Sequence, residues 1–321
     1  MKIITDTSIR LDKFMHSKLD ISRNQIEHFI RNIGVLVDGK KIFKNGLKLK
    51  IGQTVEFEFV EAQKPRTEIY DVGNLNIEII YEDEDILVVN KPSGLVVHPA
   101  PSVKEITLVD WLKAKNISLS TISGEERHGI VHRIDKQTTG VLVVAKNNEA
   151  HQTLSAQLED KSMGRYYLGL ITPRLKDSLV VEKPIGRNPH NRLKMGVVGS
   201  GRYSKTLFVP IATSNDEKFG LIGAKLWTGR THQIRVHLGT LNRVILGDDL
   251  YGFKPKIAKI GRVMLHAYIL YLIHPRTLKR MEFKAEIFDD FSEILDKKFN
   301  RGEIDEKINK NHFLSSFNNI Q

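Results

Sequence analysis

The densest run of reactive side chains lies at residues 128–140, which read His-Gly-Ile-Val-His-Arg-Ile-Asp-Lys-Gln-Thr-Thr-Gly. Asp135 stands in this run between Arg133 and Lys136, and nearby positive charge favours the ionised form of a carboxyl group. An apolar strand, residues 141–144, follows directly and anchors the loop to the core. The aspartate is therefore a candidate catalytic carboxylate, and the alternative is a charged turn in which it caps backbone amides.

A second polar run, at residues 226–238, places an arginine beside a helix signal. Thr231 is a residue type that caps helices, and the buried positions of the helix it would begin are Ile234, Leu238 and Leu241. Arg235 is offset from this apolar stripe, and a guanidinium binds a carboxylate or phosphate through two parallel hydrogen bonds. Arg235 therefore either reaches a functional site or forms a salt bridge with a structural acid.

Several other chemistries lack the residues that they need. The chain has no cysteine, which excludes a disulfide scaffold, a thiol nucleophile and any Cys-ligated metal centre. His128 and His132 are four residues apart, but Gly129 and two β-branched residues between them disfavour a zinc-binding helix. Residues 34–40 match the spacing of a phosphate-binding loop, yet Lys41 replaces its Ser or Thr and the interior reads as a strand. We therefore expect neither a metal site nor a nucleotide-binding loop.

The first sixty residues have the pattern of a small separate module. Apolar residues at helical spacing predict a first helix, with Leu11, Phe14, Met15 and Leu19 on its buried face. A second helix is predicted from Ser22, with Gln25 as capping-box partner, Gly34 as C-terminal cap, and Ile26, Phe29, Ile30 and Ile33 buried. Asp38-Gly39 then predicts a hairpin turn, and residues 55–59 alternate as a half-buried strand.

From residue 75 the sequence is rich in strands, such as residues 86–89, and Thr107 predicts the start of a helix. Strands and single helices alternate irregularly, without the regular βαβ order of a doubly wound sheet. We therefore expect an α+β domain with a mixed, mostly antiparallel sheet over residues 75–290. Residues 61–74 read as a linker and residues 291–321 as a polar C-terminal tail.

The charge of the chain favours a polyanionic partner. The sequence has 49 Lys and Arg against 38 Asp and Glu, a formal net charge of +11. Residues 151–240 carry 14 basic and 6 acidic side chains, whereas residues 61–150 carry 10 and 14, and clustered cations are what phosphate neutralisation requires. The longest lipid-like stretch, residues 263–273, is far shorter than the roughly 20 residues of a membrane helix. We expect a cytoplasmic protein with no membrane partner.

Four motifs occur in order along residues 75–290: N-K-P-S-G-L-V-V-H-P from residue 90, H-R-I-D-K-Q-T-T-G from residue 132, G-R-T-H-Q-I-R-V-H from residue 229 and L-H-A from residue 265. Together they resemble the RluA/RluD-type pseudouridine synthases, and the V-V-H-P and H-G-I-V-H-R runs are most similar to the RluD branch. By this resemblance Asp135 is the catalytic aspartate, Arg235 the arginine paired with it and Tyr167 the active-site tyrosine. Arg133, Arg230 and His232 are the implied RNA contacts nearby. The departures, Ile134, Thr139 and Gly169 in place of Leu, Ser and Ala, remove no reactive group.

The N-terminal module, residues 1–60, resembles the RNA-binding domain named after ribosomal small-subunit protein four. The resemblance rests on R-L-D-K-F from residue 10 followed by S-R-x-x-I from residue 22. The cations it assigns to RNA are Arg10, Lys13, Arg23 and Arg31. The alternative is a helical cap with ordinary surface charge.

The resemblance implies an isomerase that converts uridines of 23S (large-subunit) ribosomal RNA to pseudouridine without a cofactor. The base–ribose C–N bond breaks, the uracil turns and its carbon 5 bonds to the sugar, after the nucleotide has left its stack. Whether the aspartate attacks the sugar, attacks the base or assists loss of a sugar proton stays open. Tyr167 would stack on the uracil, and a phenol with a pKa of about 10 is a poor base. We expect a monomer that binds RNA and no DNA.

Two other classes of function agree less well with the sequence. A non-catalytic RNA-binding or ribosome-assembly factor could keep the same fold, but intact Asp135, Tyr167 and Arg235 weigh against it. A nuclease or other hydrolase would need paired carboxylates or metal ligands, and the motif segments contain a single acid.

Overall fold

The computed structural model describes residues 2–19, 23–57, 72, 75–100, 103–124, 127–254 and 260–318, with the backbone alone at positions 23, 24, 25, 28 and 32. The chain forms two compact units, Met1–Glu68 and Ile69–Gln321. The linker predicted at residues 61–74 lies outside the described residues, apart from residue 72. No helix in the described parts of the chain has the length and apolar character needed to cross a membrane.

The N-terminal unit combines two helices with a four-stranded antiparallel sheet. Its elements are β1 (Lys2–Ile4), α1 (Leu11–Lys18), α2 (Arg23–Asn32), β2 (Val35–Val37), β3 (Lys40–Ile42) and β4 (Thr54–Glu56). The sheet has the order β1-β4-β2-β3. Asp38 and Gly39 connect β2 to β3 with φ angles of 50° and 76°, both in the left-handed region that a two-residue hairpin turn requires. The hairpin prediction is thereby confirmed.

The core of this unit follows the predicted helical spacing. The buried residues of the two helices are Leu11, Phe14, Met15, Ile26, Phe29 and Ile30, with Leu19 packed at their edge. Ile33 is an exception: it was predicted to be buried and is 46% exposed. The reason is that α2 ends at Asn32 and the chain turns away at Gly34, whose φ is +82°. The predicted capping box involves Ser22, which lies outside the described residues.

The C-terminal unit has an α+β fold, as predicted. Its strands are β5 (Glu78–Glu82), β6 (Ile86–Lys91), β7 (Thr139–Ala145), β8 (Gly164–Thr172), β9 (Leu179–Glu182), β10 (Ile185–Arg187), β11 (Met195–Val197), β12 (Lys205–Thr213), β13 (Gly220–Leu226), β14 (Val244–Ile245), β15 (Leu265–Ile273) and β16 (Arg280–Lys284). Its α-helices are α3 (Leu108–Ala114), α4 (Asn148–Asp160), α5 (Gln233–Gly239), α6 (Asp289–Lys298), α7 (Arg301–Lys307) and α8 (Lys310–Ser315).

A ten-stranded sheet organises this unit. Its main path is β5-β6-β7-β15-β8-β13-β12-β9, with β14 beside β8 and β16 beside β15, while β10 and β11 form a separate hairpin. The pairing of β15 with β7 is parallel, and the other strand pairs among the described residues are antiparallel. Strands β6 and β7 are buried along their whole length, which matches their continuous apolar sequences.

The C-terminal segment, expected as a polar tail, instead packs on the sheet as α6, α7 and α8. Its buried apolar residues are Phe291, Leu295, Phe299, Ile304, Ile308, Phe313 and Phe317. The rings of Phe313 and Phe317 lie against Gly223 of β13, where a Cβ would come within 2.7 Å of the Phe317 ring. The i, i+4 spacing of these residues among many polar ones is an amphipathic helix pattern, which the polar composition of the segment obscured.

Candidate active site

The loop that carries Asp135 is held by backbone bonds on both sides. Asp135 is the first residue of a turn in which its carbonyl oxygen accepts a hydrogen bond from Thr138 N–H at 3.1 Å. The next residue, Lys136, accepts a bond at its carbonyl oxygen from Gly94 N–H at 2.9 Å. The Asp135 side chain is 20% exposed, so it lies in a recess that solvent reaches.

Gly140 allows the backbones of β7 and β15 to lie close together next to the Asp135 loop. Its φ is +113°, and a Cβ there would lie 2.1 Å from the carbonyl oxygen of Ala267. Only glycine fits both the backbone angle and the space. The close parallel contact of Thr139-Gly140 with His266-Ala267 therefore sets the position from which the Asp135 loop begins.

Lys91 stabilises the same loop from inside the core, a role that the sequence reasoning missed. This fully buried side chain donates from Nζ to the carbonyl oxygens of Pro92, Leu95 and Lys136 at 2.7, 2.9 and 3.1 Å. Burial lowers the pKa of Lys91 to about 7, although the charge of Asp135 opposes the shift. Three carbonyl acceptors require three N–H donors, which the ammonium form supplies. The available signal was the Lys-Pro pair at the end of a buried strand.

Arg235 of α5 lies between two carboxylates. Its Nε and Nη2 each bond an oxygen of Asp248 at 2.7 Å, while Nη1 lies 3.3 Å from Oδ2 of Asp135. Burial lowers the pKa of Arg235, but the bonds and charge of Asp248 and the charge of Asp135 outweigh it, so the net shift is upward. Arg235 therefore does what both sequence interpretations described: it forms a salt bridge with a buried acid, Asp248, and it also contacts Asp135. Asp248 was not identified from the sequence.

His232 and Tyr251 complete the surroundings of Asp135. His232 Nε2 lies 4.0 Å from Asp135 Oδ2, and its Nδ1 is 2.9 Å from the Tyr251 hydroxyl. Burial lowers the pKa of His232 despite the charge of Asp135, so the imidazole is neutral at pH 7. The ring of Tyr251 lies 4.7 Å from the guanidinium carbon of Arg235, and its hydroxyl bonds both N–H and C=O of Met195 in β11.

The prediction that Thr231 caps α5 was wrong. The N-cap residue is His232, at φ 57°, and its side chain makes no capping bond. Gln233 organises the turn instead, because its Oε1 accepts bonds from the Thr228 hydroxyl at 2.8 Å and from Arg230 N–H at 3.0 Å. Capping by Thr231 was predicted from its residue type alone. Residue type does not indicate that the side-chain amide of Gln233 takes over the hydrogen bonds of this turn.

Tyr167 lies in β8 between β13 and β15, opposite Ala224 and Ala267. It is buried, and burial raises the pKa of its phenol, while Arg165 lowers it and Asp135 raises it further. The phenol is therefore protonated at neutral pH. Tyr166, the neighbouring residue, faces the other side of the sheet, where its ring lies 4.8 Å from that of Phe317.

Arg133 and Arg230, the other predicted RNA contacts of this unit, form no ion pair with Asp135 among the described residues. The exposed Arg133 places Nη1 3.1 Å from Nε2 of His98, whose Nδ1 lies 2.9 Å from the carbonyl oxygen of Pro99. Arg230 is half-buried and donates from Nε to the carbonyl oxygen of Tyr203 at 3.1 Å.

The predicted RNA-binding cations of the N-terminal unit differ in their surroundings. Arg10 forms a two-bond pair with the buried Asp12, at 3.0 and 2.8 Å, so it contributes to the fold of this unit. Lys13 is exposed on α1, and the exposed Arg31 donates to Asn45 at 3.3 Å. The side chain of Arg23 lies outside the described residues.

One group of potential metal ligands lies away from this site. Asp83, Asp85 and His274 bring their ligand atoms within 4.8 Å of one another. Asp83 already accepts four hydrogen bonds, from the amides of Asp85 and Ile86 at 2.8 Å and from Tyr81 and His274 at 2.7 Å. A carboxylate occupied in this way serves as a structural acceptor, and it offers no open position to an ion.

Comparison with known proteins agrees with these two units. Residues 85–240 match the sequence model of RNA pseudouridylate synthase, and residues 9–55 match the S4 domain. An "Uncharacterized RNA pseudouridine synthase" of Helicobacter pylori strain J99 is 46% identical over 96% of this chain and 95% of its own. "Ribosomal large subunit pseudouridine synthase D" of Zymomonas mobilis is 36% identical over 88% of this chain and 91% of its own.

A solved structure shares the fold. "Human RNA Pseudouridylate Synthase Domain Containing 1" superposes with a TM-score of 0.53 at 23% identity, over 69% of this chain and 94% of that chain. With the sequence matches along nearly the whole length, the chain belongs to the RNA pseudouridylate synthase family, isomerases that act on RNA, and carries an N-terminal S4 domain.

Proposed function

We propose that this protein isomerises specific uridines of large-subunit ribosomal RNA to pseudouridine, with Asp135 as its catalytic carboxylate. The single observation that carries the catalytic part is the contact of Asp135 with Arg235, at 3.3 Å in a recess with 20% exposure of the acid. The ribosomal target is supported by relatives named "Ribosomal large subunit pseudouridine synthase D" in Zymomonas mobilis and Pseudomonas aeruginosa.

Arg235 has the geometry to hold a carboxylate ionised and oriented. Asp248 fixes the guanidinium through two bonds, which leaves Nη1 directed at Asp135. An ionised carboxylate can attack the target nucleotide or remove a proton from it, and the cation beside it favours that state. His232 places Nε2 4.0 Å from Oδ2 of Asp135, and its imidazole is neutral. It therefore adds a polar group beside the carboxylate but no second positive charge.

Tyr167 is suited to stack on the target uracil. Its phenol stays protonated at neutral pH because burial raises its pKa, so it is a weak general base. The ring offers an apolar surface to a base that has left its stack, and aromatic stacking is worth about 1–3 kcal/mol per base. Arg133 and Arg230, at the surface of the unit, would bind the neighbouring phosphates.

The test is pseudouridine formation in an unmodified 23S rRNA transcript, mapped chemically after incubation with the purified full-length protein. Asp135→Asn should reduce the rate by at least about 10³-fold, because the reacting carboxylate is lost while the size of the side chain is kept. Asp177→Asn, which alters an exposed acid elsewhere in the unit, is the matched control and should leave the rate unchanged.

Three outcomes would contradict this proposal in whole or in part. Wild-type protein that binds the transcript but modifies no uridine would favour a non-catalytic RNA-binding or assembly factor. Full activity in Asp135→Asn would remove the assigned role of the aspartate. Modification of a different RNA, with none of 23S rRNA, would leave the chemistry standing and reject the ribosomal target.

A further inference from the structure

Arg165 of β8 is a buried guanidinium without an acceptor. The residue is 6% exposed, and its Nε is fully buried with no hydrogen-bond partner. No carboxylate lies within 4.0 Å of it among the residues that the structure describes. Among the described residues it makes a polar contact with His132, whose Nδ1 lies 3.4 Å from Nη1.

His132 cannot accept a hydrogen bond from this arginine. Its Nε2 accepts the buried amide of Val143 at 3.2 Å, so that nitrogen carries no proton. Burial and the charge of Arg165 lower the pKa of His132 well below its usual value, and the ring is neutral. A neutral imidazole has one N–H, which must then be at Nδ1, the atom that faces Arg165. Two donors therefore meet at 3.4 Å.

A buried charge without a partner destabilises a fold, and an apolar side chain of similar size would remove that cost. The surrounding chain nonetheless makes room for the guanidinium. At Gly229, which lies over it, a Cβ would come within 2.9 Å of Nη2. Nε of Arg165 has no acceptor among the described residues, so it is available to donate to a ligand that enters beside it.

The position of Arg165 indicates which ligand this is. Side chains alternate along a strand, so Arg165 and Tyr167 lie on the same face of β8. Arg165 also contacts both segments that meet at Asp135: its Nη1 lies 3.4 Å from His132 of the Asp135 loop, and its Nη2 lies beneath Gly229, three residues before His232. Arg165, Tyr167 and these two segments therefore border one space, and the charges of Arg165 and Asp135 both act on the pKa of the Tyr167 phenol. Under the proposed function, that space holds the target uracil.

Breaking the C1′–N1 bond leaves its electron pair on the uracil. The charge is shared among N1, O2 and O4, whether C1′ bonds to the Asp135 carboxylate or the sugar loses its C2′ proton. That charge is consumed when carbon 5 bonds to C1′, either as the C1′–O bond to Asp135 breaks or as C2′ regains its proton. Carbon 5 then loses its proton and N1 gains one. We propose that Arg165 donates hydrogen bonds to a carbonyl oxygen of the target uracil and stabilises this negative charge. A buried cation whose Nε has no acceptor in the described part of the protein is well suited to that role.

The test compares Arg165→Met with wild type in the full-length protein, under single-turnover conditions, by tritium release from a 23S rRNA transcript labelled at uridine carbon 5. The rate should fall by about 10²–10³-fold, as for loss of one donor to a developing anion. The Kd for the transcript should stay within about twofold, and the unfolding temperature should be unchanged or higher, because an uncompensated buried charge has been removed. Arg165→Lys, which keeps the charge, should retain an intermediate rate.

Lys225→Met is the matched control. Lys225 lies in β13 opposite Tyr166, on the other face of the same sheet, with its ammonium 5.5 Å from the Tyr166 ring. The substitution removes one partly buried cation, as Arg165→Met does, without touching the space around Tyr167. Its tritium-release rate should equal that of wild type.

Three results would overturn the proposal. Arg165→Met could raise the Kd, make the slope of log Kd against log salt shallower by about one, and leave the rate at saturation unchanged. That result would mean that Arg165 binds a phosphate. A lowered unfolding temperature with a normal rate in Arg165→Met would mean a structural role. Fluorine at carbon 5 stabilises the uracil anion, so Arg165→Met should slow cleavage of the N-glycosidic bond less on a 5-fluorouridine transcript than on a uridine transcript. Equal losses of rate on the two transcripts would also contradict the proposal. Failure of the proposed function is distinguishable, since wild-type protein would then be inactive as well.

Discussion

At the residue scale, the guanidinium of Arg235 is shared unequally between two acids. Two bonds of 2.7 Å join it to Asp248, which is 1% exposed, and one contact of 3.3 Å joins it to Asp135. Asp248 also accepts the amide of Tyr251 at 3.2 Å, so it orders the turn after β14 as well as the arginine. The position of Arg235 beside Asp135 therefore depends on Asp248, to which the proposed reaction assigns no contact with the substrate.

Asp248→Asn should impair both stability and activity. The change keeps the side-chain size but removes the charge that balances the buried Arg235, and breaking a buried ion pair costs about 3–5 kcal/mol. Nη1 of the arginine would also lose its fixed direction, so the rate should fall by at least about tenfold in protein that remains folded. Urea unfolding and tritium release measure the two effects, and Asp177→Asn is the control for both. Unchanged values in Asp248→Asn would show that Arg235 is held by other contacts.

At the element scale, the parallel contact of β7 with β15 supports the loop of Asp135. Thr139 in β7 donates its hydroxyl hydrogen to Nδ1 of His266 at 2.8 Å, and Nε2 of His266 donates to the carbonyl oxygen of Ala285 at 3.2 Å. This bonding uses the neutral imidazole, which burial favours. The contact is therefore sensitive to acid.

Burial lowers the pKa of His266 to about 4, although the bond to Ala285 opposes the shift. Between about pH 4 and 6.5 the unfolded chain binds a proton at this position that the native state does not bind. Stability should therefore decrease as the pH falls through this window, by roughly 3 kcal/mol from this residue. Urea unfolding at pH 7, 6, 5 and 4 tests this, with His266→Gln as comparison. If both proteins lose the same free energy, His266 does not carry the dependence.

At the scale of the whole molecule, the two units divide the proposed work between RNA binding and chemistry. Residues 1–60 carry 11 basic and 7 acidic side chains, and residues 9–55 match the S4 domain. The residues described around Asp135, by contrast, belong to Ile69–Gln321, and that unit has its own core. Loss of the first unit should therefore affect affinity more than chemistry.

A chain starting at Ile69 should fold and keep its single-turnover rate at saturating transcript within about threefold. Its Kd for the transcript should rise, and the dependence of log Kd on log salt should become shallower, because phosphate contacts are lost. Filter binding over a range of salt concentrations and tritium release separate the two effects. Unchanged affinity at every salt concentration would exclude an RNA-binding contribution from the S4 domain.

The sequence alone determined the fold class, the helices of the first unit and the two polar segments that carry Asp135 and Arg235. These features follow from local rules of side-chain period and turn chemistry, as with α1 and the Asp38-Gly39 turn. The same rules gave a wrong prediction for the cap at Thr231, because the side-chain amide of Gln233 organises that turn. They also predicted that Ile33 is buried, whereas α2 ends at the residue before it.

Tertiary structure alone decided which groups meet. Asp135 and Arg235 are 100 residues apart in sequence, and nothing local indicates that Asp248 would take two of the three bonds of that arginine. The buried bonds of Lys91, the missing acceptor of Arg165 and the packing of Phe313 on Gly223 are likewise contacts between distant segments. Their energies depend on burial and distance, and the strand order of the sheet sets both.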